Sequence, residues 1–163
     1  MLFRSVSKTI LPAVKLSSDR YVSYIDNYAR VPMLVKTYPT VANYDKDMAP
    51  LACLAQILGQ GKTSILYQDL VKSQKALQAN ASSRLSELSG DFSIQLVPLP
   101  GKSLAAMDSL YKEALAHFES RGVTDEDIEK FKGAIESQYI NGLQRSEEHT
   151  SELQSRVDIS YAV

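Results

Sequence analysis

The feature that most constrains this chain is a pair of glycines, Gly59 and Gly61, between two segments whose apolar residues have helical spacing. Before the glycines, apolar residues recur every three or four positions from Leu51 to Leu58, which predicts a helix ending at Gly59. After them, the pattern predicts a second helix over Ser64–Ser73, with Leu66 and Leu70 facing inward. The chain is therefore expected to make a helix–turn–helix at this point.

The same stretch contains Gly61-Lys62-Thr63, which matches the end of the phosphate-binding pattern G-x-x-x-x-G-K-[ST]. The first glycine of that pattern would fall at position 56, which is Gln56. A phosphate loop also follows a buried strand, whereas this segment follows a helical pattern. The glycine turn is the preferred interpretation, and the nucleotide-binding alternative requires that GTP or ATP raise the melting temperature.

The amino-acid composition argues against several classes of protein function. The chain has 163 residues and a net charge of −1, which fits one globular domain and argues against a nucleic-acid-binding surface. Cys53 is the only cysteine, so neither an internal disulfide nor a cysteine metal cluster is possible. No apolar run approaches the ~20 residues of a membrane span, and Met1–Leu16 lacks the apolar block of a signal peptide.

The order of the predicted elements indicates the fold class. Hairpins alternate with helix pairs, which predicts an α+β two-layer sandwich, with an antiparallel or mixed sheet and helices packed on one face. The expected strands are Arg20–Asn27, Val31–Tyr38 (with Val31, Met33 and Val35 on one face), Ala76–Leu85 and Gly90–Leu99. Four helices are expected. The first begins at Asp45 or Asp47 and ends at Leu58, and the second covers Ser64–Ser73. The third runs from Leu104 to Gly122 after a Ser103 cap, and the fourth starts at Thr124.

Few residues are candidates for chemistry. His117 is interpreted as an exposed helix residue, because Glu119 points to a different face and supplies no paired ligand. Cys53 lies in an apolar helical run and is interpreted as a core residue rather than a nucleophile. The acids Asp125–Asp127 are interpreted as a helix start, not a cation site. The tyrosines are expected on sheet faces and loops, where an exposed one could contact a peptide: Tyr21, Tyr24, Tyr38, Tyr44 and Tyr67.

The segment Ile57–Ser83 carries a family pattern, L-G-x-G-x-x-S-x-L-[YF]-x-x-L, at Leu58, Gly59, Gly61, Ser64, Leu66, Tyr67 and Leu70. With its flanks, Arg20–Gln144 resembles the second, non-zinc domain of the pitrilysin/insulinase family of zinc peptidases, which includes mitochondrial processing peptidase. The resemblance implies a metallopeptidase-half fold. It also implies a parent enzyme whose zinc is held in another domain by a His-x-x-Glu-His helix and a distal glutamate. That motif does not occur in this chain.

The resemblance further implies that this fragment is not catalytic alone, and no catalytic, cofactor-binding or metal residue is assigned to it. Family members facing the zinc site carry an arginine and a tyrosine where this chain has Val71 and Gln78. The expected role is a structural domain that walls the substrate chamber. Its partners would be the preceding zinc domain, the opposite half of the peptidase and a peptide substrate. The alternative is a domain of a proteolytically inert family member that serves as a scaffold or assembly subunit.

The ends of the chain resemble a translated DNA-sequencing adapter. The adapter codons give Arg145–Ser155 in order and then Ile159–Val163, and a related adapter read from GTG gives Met1–Ser5. The expected division is therefore an adapter-derived segment at 1–5, a linker at 6–19, the peptidase-type domain at 20–144 and a second adapter-derived segment at 145–163. Localisation is not encoded in these residues; the family suggests a bacterial periplasm or cell envelope.

Overall fold

The computed structural model describes the backbone of residues 15–160 and the side chains of residues 15–143. The chain divides after Gly122 into two compact units. The elements of the first unit are the strands β1 (Leu34–Thr40), β2 (Ala76–Leu85) and β3 (Gly90–Pro98), the helices α1 (Met48–Gly59) and α2 (Leu104–Arg121), and a π-helix at Tyr67–Lys72. The second unit is formed by the helix α3 (Asp125–Ser160).

The sheet has the order β1-β3-β2 and is antiparallel throughout. β2 and β3 form a hairpin whose turn is closed by Ser86, which donates from its backbone N–H (2.9 Å) and its hydroxyl (2.7 Å) to the carbonyl oxygen of Ser89. β1 pairs on the other side of β3, with Leu34 opposite Leu96. The central strand is therefore the one with the clearest alternation of apolar and polar residues.

The core lies on one face of this sheet. β3 directs Phe92, Ile94 and Leu96 to that face, while the intervening Ser93 and Gln95 are half-buried on the other. α1, the π-helix and α2 cover the same face. Other core residues lie on these helices, on the segment just before the π-helix and on β2: Ala55, Leu58, Ile65, Leu66, Leu70, Ala76, Ala79, Ala81, Met107, Tyr111 and Ala114. The predicted α+β class, with helices packed on one face of the sheet, is confirmed.

The residues at the ends of α1 and α2 explain where these two helices begin and end. α1 has Asp47 at the N-cap position and Pro50 in its first turn, where a missing N–H costs nothing. α2 is capped by Ser103, whose hydroxyl accepts from the backbone N–H of Ala106 at 3.2 Å. It stops at Gly122, which has φ +71°. These boundaries agree with the sequence prediction.

The second unit begins with a reciprocal cap. The Asp127 carboxylate accepts from the backbone N–H (3.1 Å) and hydroxyl (2.9 Å) of Thr124, and the Thr124 hydroxyl accepts from the backbone N–H of Asp127 at 3.3 Å. The predicted Thr124 cap is therefore present. The backbone stays helical to Ser160, although no continuation past Gln144 was expected. Residues 145–160 contain neither glycine nor proline, so nothing in their backbone propensity ends the helix.

Two strand predictions were wrong. Arg20–Asn27 forms no strand, and its large apolar side chains are exposed, from 80% for Tyr21 to 93% for Ile25. A strand requires a partner, and within the described residues both ladders of the sheet join β1 and β2 to β3. The second strand begins at Leu34 rather than Val31, and Val35 lies on the face away from the helices, with 45% of its surface exposed.

Candidate functional site

The loop after α1 is built around two glycines with different roles. A Cβ on Gly59 would lie 1.9 Å from the backbone nitrogen of Ala81, so only glycine lets α1 approach β2 this closely. Gly61 has φ +80°, and its carbonyl accepts from the backbone N–H (3.3 Å) and hydroxyl (2.8 Å) of Ser64. The loop follows a helix and uses its polar groups to begin the next one. It is a helix–helix turn, and Lys62-Thr63 has no phosphate-loop geometry around it.

The next helical segment is a π-helix rather than the predicted α-helix. Its wider turn keeps Leu70 buried and packs Val71 against the core. A bulge at Leu77 then shifts the register of β2, and Gln78 pairs with Val97 as an exposed residue. The two positions that the resemblance singles out, Val71 and Gln78, therefore hold a core-packed aliphatic side chain and an exposed amide.

A cleft of about 350 Å³ lies between the π-helix and α2. It contains a hydrogen bond between His117 and Asp69, with 2.7 Å between the imidazole Nδ1 and the Asp69 Oδ2. His117 is exposed, as predicted, but its partner comes from a segment 48 residues earlier. Residue spacing along one helix cannot indicate a partner from so distant a segment. Glu113, one turn before His117, and Lys75 line the same cleft.

A second polar cluster fastens β1 to α2. The Lys36 ammonium pairs with the Asp108 carboxylate and lies 5.0 Å from the centre of the Tyr111 ring. Hydrogen bonds from Lys36 and then Lys112 lower the pKa of Asp108. The Tyr111 hydroxyl is 3.2 Å from that of Tyr38. Burial, followed by this hydrogen bond, raises the pKa of Tyr111. The cluster therefore holds a helix on a strand.

The remaining candidates have structural positions. Cys53 is partly buried and packs against the core. Asp127 completes the cap of α3, and Asp125 and Glu126 lie in its first turn. Tyr21, Tyr24 and Tyr44 are exposed, Tyr38 lies on β1, and Tyr67 begins the π-helix. The part of the chain that the structure describes contains no group of three or more histidine, cysteine, aspartate or glutamate side chains placed to hold a metal ion. No described helix meets the length and hydropathy needed to cross a membrane.

Comparison with known proteins places this arrangement in a family. Residues 7–135 match the family model described as the peptidase M16 inactive domain. The fold is similar to that of a protease from Helicobacter pylori, with 24% identity and a TM-score of 0.63 over 73% of this chain and 29% of that one. It is also similar to the peptidase M16 inactive domain from Pseudomonas fluorescens (18% identity, TM-score 0.55, 63% of this chain and 25% of that one).

A third similar structure is the inactive peptidase domain of a candidate zinc protease from Bordetella parapertussis, with 19% identity and a TM-score of 0.56. The match covers 69% of this chain and 60% of that domain, so the chain spans only part of each relative's length. The comparison with curated proteins gives no match. The matched family is the one indicated by the glycine-turn motif, and the chain belongs to the peptidase M16 inactive-domain family, the second-domain type of the pitrilysin/insulinase peptidases.

Proposed function

We propose that this chain is a non-metal-binding structural domain of an M16 zinc peptidase, which supports the zinc domain and walls the chamber where peptides are cleaved. The observation that carries the proposal is the pair of positions following the glycine turn. Val71 packs on the core and Gln78 is an exposed amide on β2. Neither offers the positioned cationic or phenolic donor that would polarise a scissile carbonyl.

The donor set of the described residues does not fit a catalytic zinc. Such a site needs three protein ligands around an open position. The described residues place no group of three ligand side chains together. We therefore assign no hydrolytic step to this chain. Zinc would be bound in the parent enzyme's other domain.

The proposed partners are that zinc domain, the opposite half of the peptidase and a peptide substrate. Two observations support partners of this kind. The chain covers 29% of the Helicobacter pylori protease, so proteins of this fold occur joined to further domains. The segment around Tyr21 and Ile25 exposes large apolar side chains, which in soluble proteins commonly mark a contact surface.

The upstream genomic sequence tests the proposal. We expect it to encode a His-x-x-Glu-His motif roughly 150–200 residues before Arg20, a distance of about one domain. The two-domain protein should cleave a quenched fluorescent peptide in a zinc-dependent manner, and this chain alone should not. Cleavage by this chain that a chelator abolishes and zinc restores would overturn the proposal. A degenerate upstream motif would identify an inert scaffold instead.

A further inference from the structure

The cleft between the π-helix and α2 has an apolar floor and a charged rim. The side chains of Leu70, Leu110 and Ala114 form the floor, and Leu70 and Ala114 are almost completely buried. Its volume of about 350 Å³ lies in the range of small-molecule sites in proteins. All the lining residues belong to the first unit of the chain. The floor would accept an aliphatic body a few atoms long.

One side of the rim consists of hydrogen-bond acceptors. A carboxylate can only accept, so the His117 Nδ1–H donates to Asp69 across the 2.7 Å contact. In the neutral imidazole this bond leaves Nε2 as an acceptor. Glu113 lies four residues before His117, on the same side of α2. Two acceptors, one of them an anion, therefore stand next to each other, as an ammonium group requires.

The other side of the rim carries a cation. Lys75 lies three residues after the π-helix, and its backbone N–H donates to the carbonyl oxygen of Leu70 at 2.8 Å, which fixes the start of its side chain. Among the described residues, the side chains of Lys75 and Glu113 have no ion-pair partner, with each other or with a third group. The cleft thus presents the Lys75 cation on one side of an apolar floor and the Glu113 and Asp69 carboxylates on the other.

We propose that this cleft binds a small zwitterion, an amino acid or short peptide with both termini free. Glu113 and the Nε2 of His117 accept from its ammonium, Lys75 donates to its carboxylate, and its aliphatic part lies on Leu70, Leu110 and Ala114. This site goes beyond the structural role proposed above and does not depend on it.

Titration of the ¹⁵N-labelled full chain with trialanine tests the site, with amide chemical shifts as the readout. We expect saturable shifts confined to residues 68–75 and 110–117. Trialanine acetylated at its N-terminus and amidated at its C-terminus should give none at equal concentration, because it lacks both charges. A parallel titration with leucine distinguishes a free amino acid from a short peptide as the ligand. Tighter binding of leucine than of trialanine indicates an amino-acid site, and tighter binding of trialanine indicates a peptide site.

Two variants with matched controls complete the test. Glu113→Gln and Lys75→Gln should each weaken trialanine binding about tenfold, as expected for loss of a charge-assisted hydrogen bond. Glu119→Gln, on the exposed part of α2 outside the cleft, and Lys102→Gln, in the loop before α2, should bind like the parent chain. Equal binding of free and blocked trialanine, or no shift in the cleft at saturating concentrations, would overturn the proposal.

Discussion

At the scale of single residues, Gly59 sets how closely α1 approaches the sheet. In Gly59→Ala the new methyl would lie 1.9 Å from the backbone nitrogen of Ala81, inside a ladder that cannot move independently. Overpacking of this kind costs roughly 1–3 kcal/mol, and contact with backbone places the change at the upper end. Urea denaturation should show a lower unfolding free energy for this variant.

The control for that variant is another glycine inside a helix. Gly133 lies in α3, and a Cβ there would meet no atom within 4 Å. Gly133→Ala should therefore be neutral or stabilising by up to about 1 kcal/mol, the difference in helix propensity. Equal effects of the two substitutions would show that the approach of α1 to Ala81 is not limited by Gly59.

Tyr111 gives a pH-dependent prediction. Its folded-state pKa is raised by burial and then by the hydrogen bond with Tyr38. Above the unfolded value of about 10, the unfolded chain loses this proton first, so the unfolding free energy falls as pH rises. In urea titrations between pH 9.5 and 11, the unfolding free energy of Tyr111→Phe should therefore decrease less with rising pH than that of the parent chain. Tyr44→Phe removes an exposed hydroxyl, and its unfolding free energy should decrease with pH as in the parent chain. The prediction would be contradicted if Tyr111→Phe also showed the parental decrease.

Residue-level features that involve distant partners could not be predicted from the sequence. Asp69 and His117 are 48 residues apart, and only the packing of α2 beside the π-helix joins them. Lys36 and Tyr38 face the core side of β1, because their polar tips find Asp108 and Tyr111 on α2. A pattern of apolar residues alone assigned Val31, Met33 and Val35 to a common face instead, and the Val35 side chain is directed away from the helices.

At the scale of elements, the cap of α3 is the feature most open to measurement. Thr124→Ala removes one member of the reciprocal bonds with Asp127 and leaves the N–H of Asp127 without its side-chain acceptor. Loss of such a cap costs typically about 1 kcal/mol. The variant should lose helical circular dichroism at lower urea than the parent. Thr124→Ser keeps the hydroxyl and should retain parental behaviour; equal losses in both variants would show that the cap bond is not the cause.

The elements predicted best are those whose limits are set locally. β2 has the predicted boundaries, β3 ends one residue early, and α1 and α2 stop at their glycines. Apolar and polar residues alternate along Arg20–Asn27 as they do in a strand, but this pattern shows only that the segment is able to pair with another strand. Whether a neighbouring strand exists depends on the rest of the fold. The π-helix was expected as an α-helix, because both geometries can bury Leu70 and their hydrogen bonds differ in spacing by only one residue.

At the scale of the whole molecule, the family match and the first compact unit end at different residues. The match covers residues 7–135 and so extends into α3, whereas the first compact unit ends at Gly122. The zinc domain and the opposite half of the peptidase are proposed as further parts of the assembly. The supporting role proposed above rests on the match to the inactive-domain family, and the proposed zwitterion cleft would add a small-molecule site to it.

The last prediction concerns residues 145–163. Their agreement with adapter codons leads us to propose that they are not part of the natural domain, and the family match ends before them. A chain ending at Gln144 should therefore keep the near-ultraviolet circular dichroism and the urea midpoint of the full chain, while losing helical signal in the far ultraviolet. A chain whose residues 145–163 are scrambled serves as the control of equal length and composition, and it should share that midpoint. A midpoint lowered in both variants would show that this specific sequence stabilises the fold, which an adapter-derived tail has no physical reason to do.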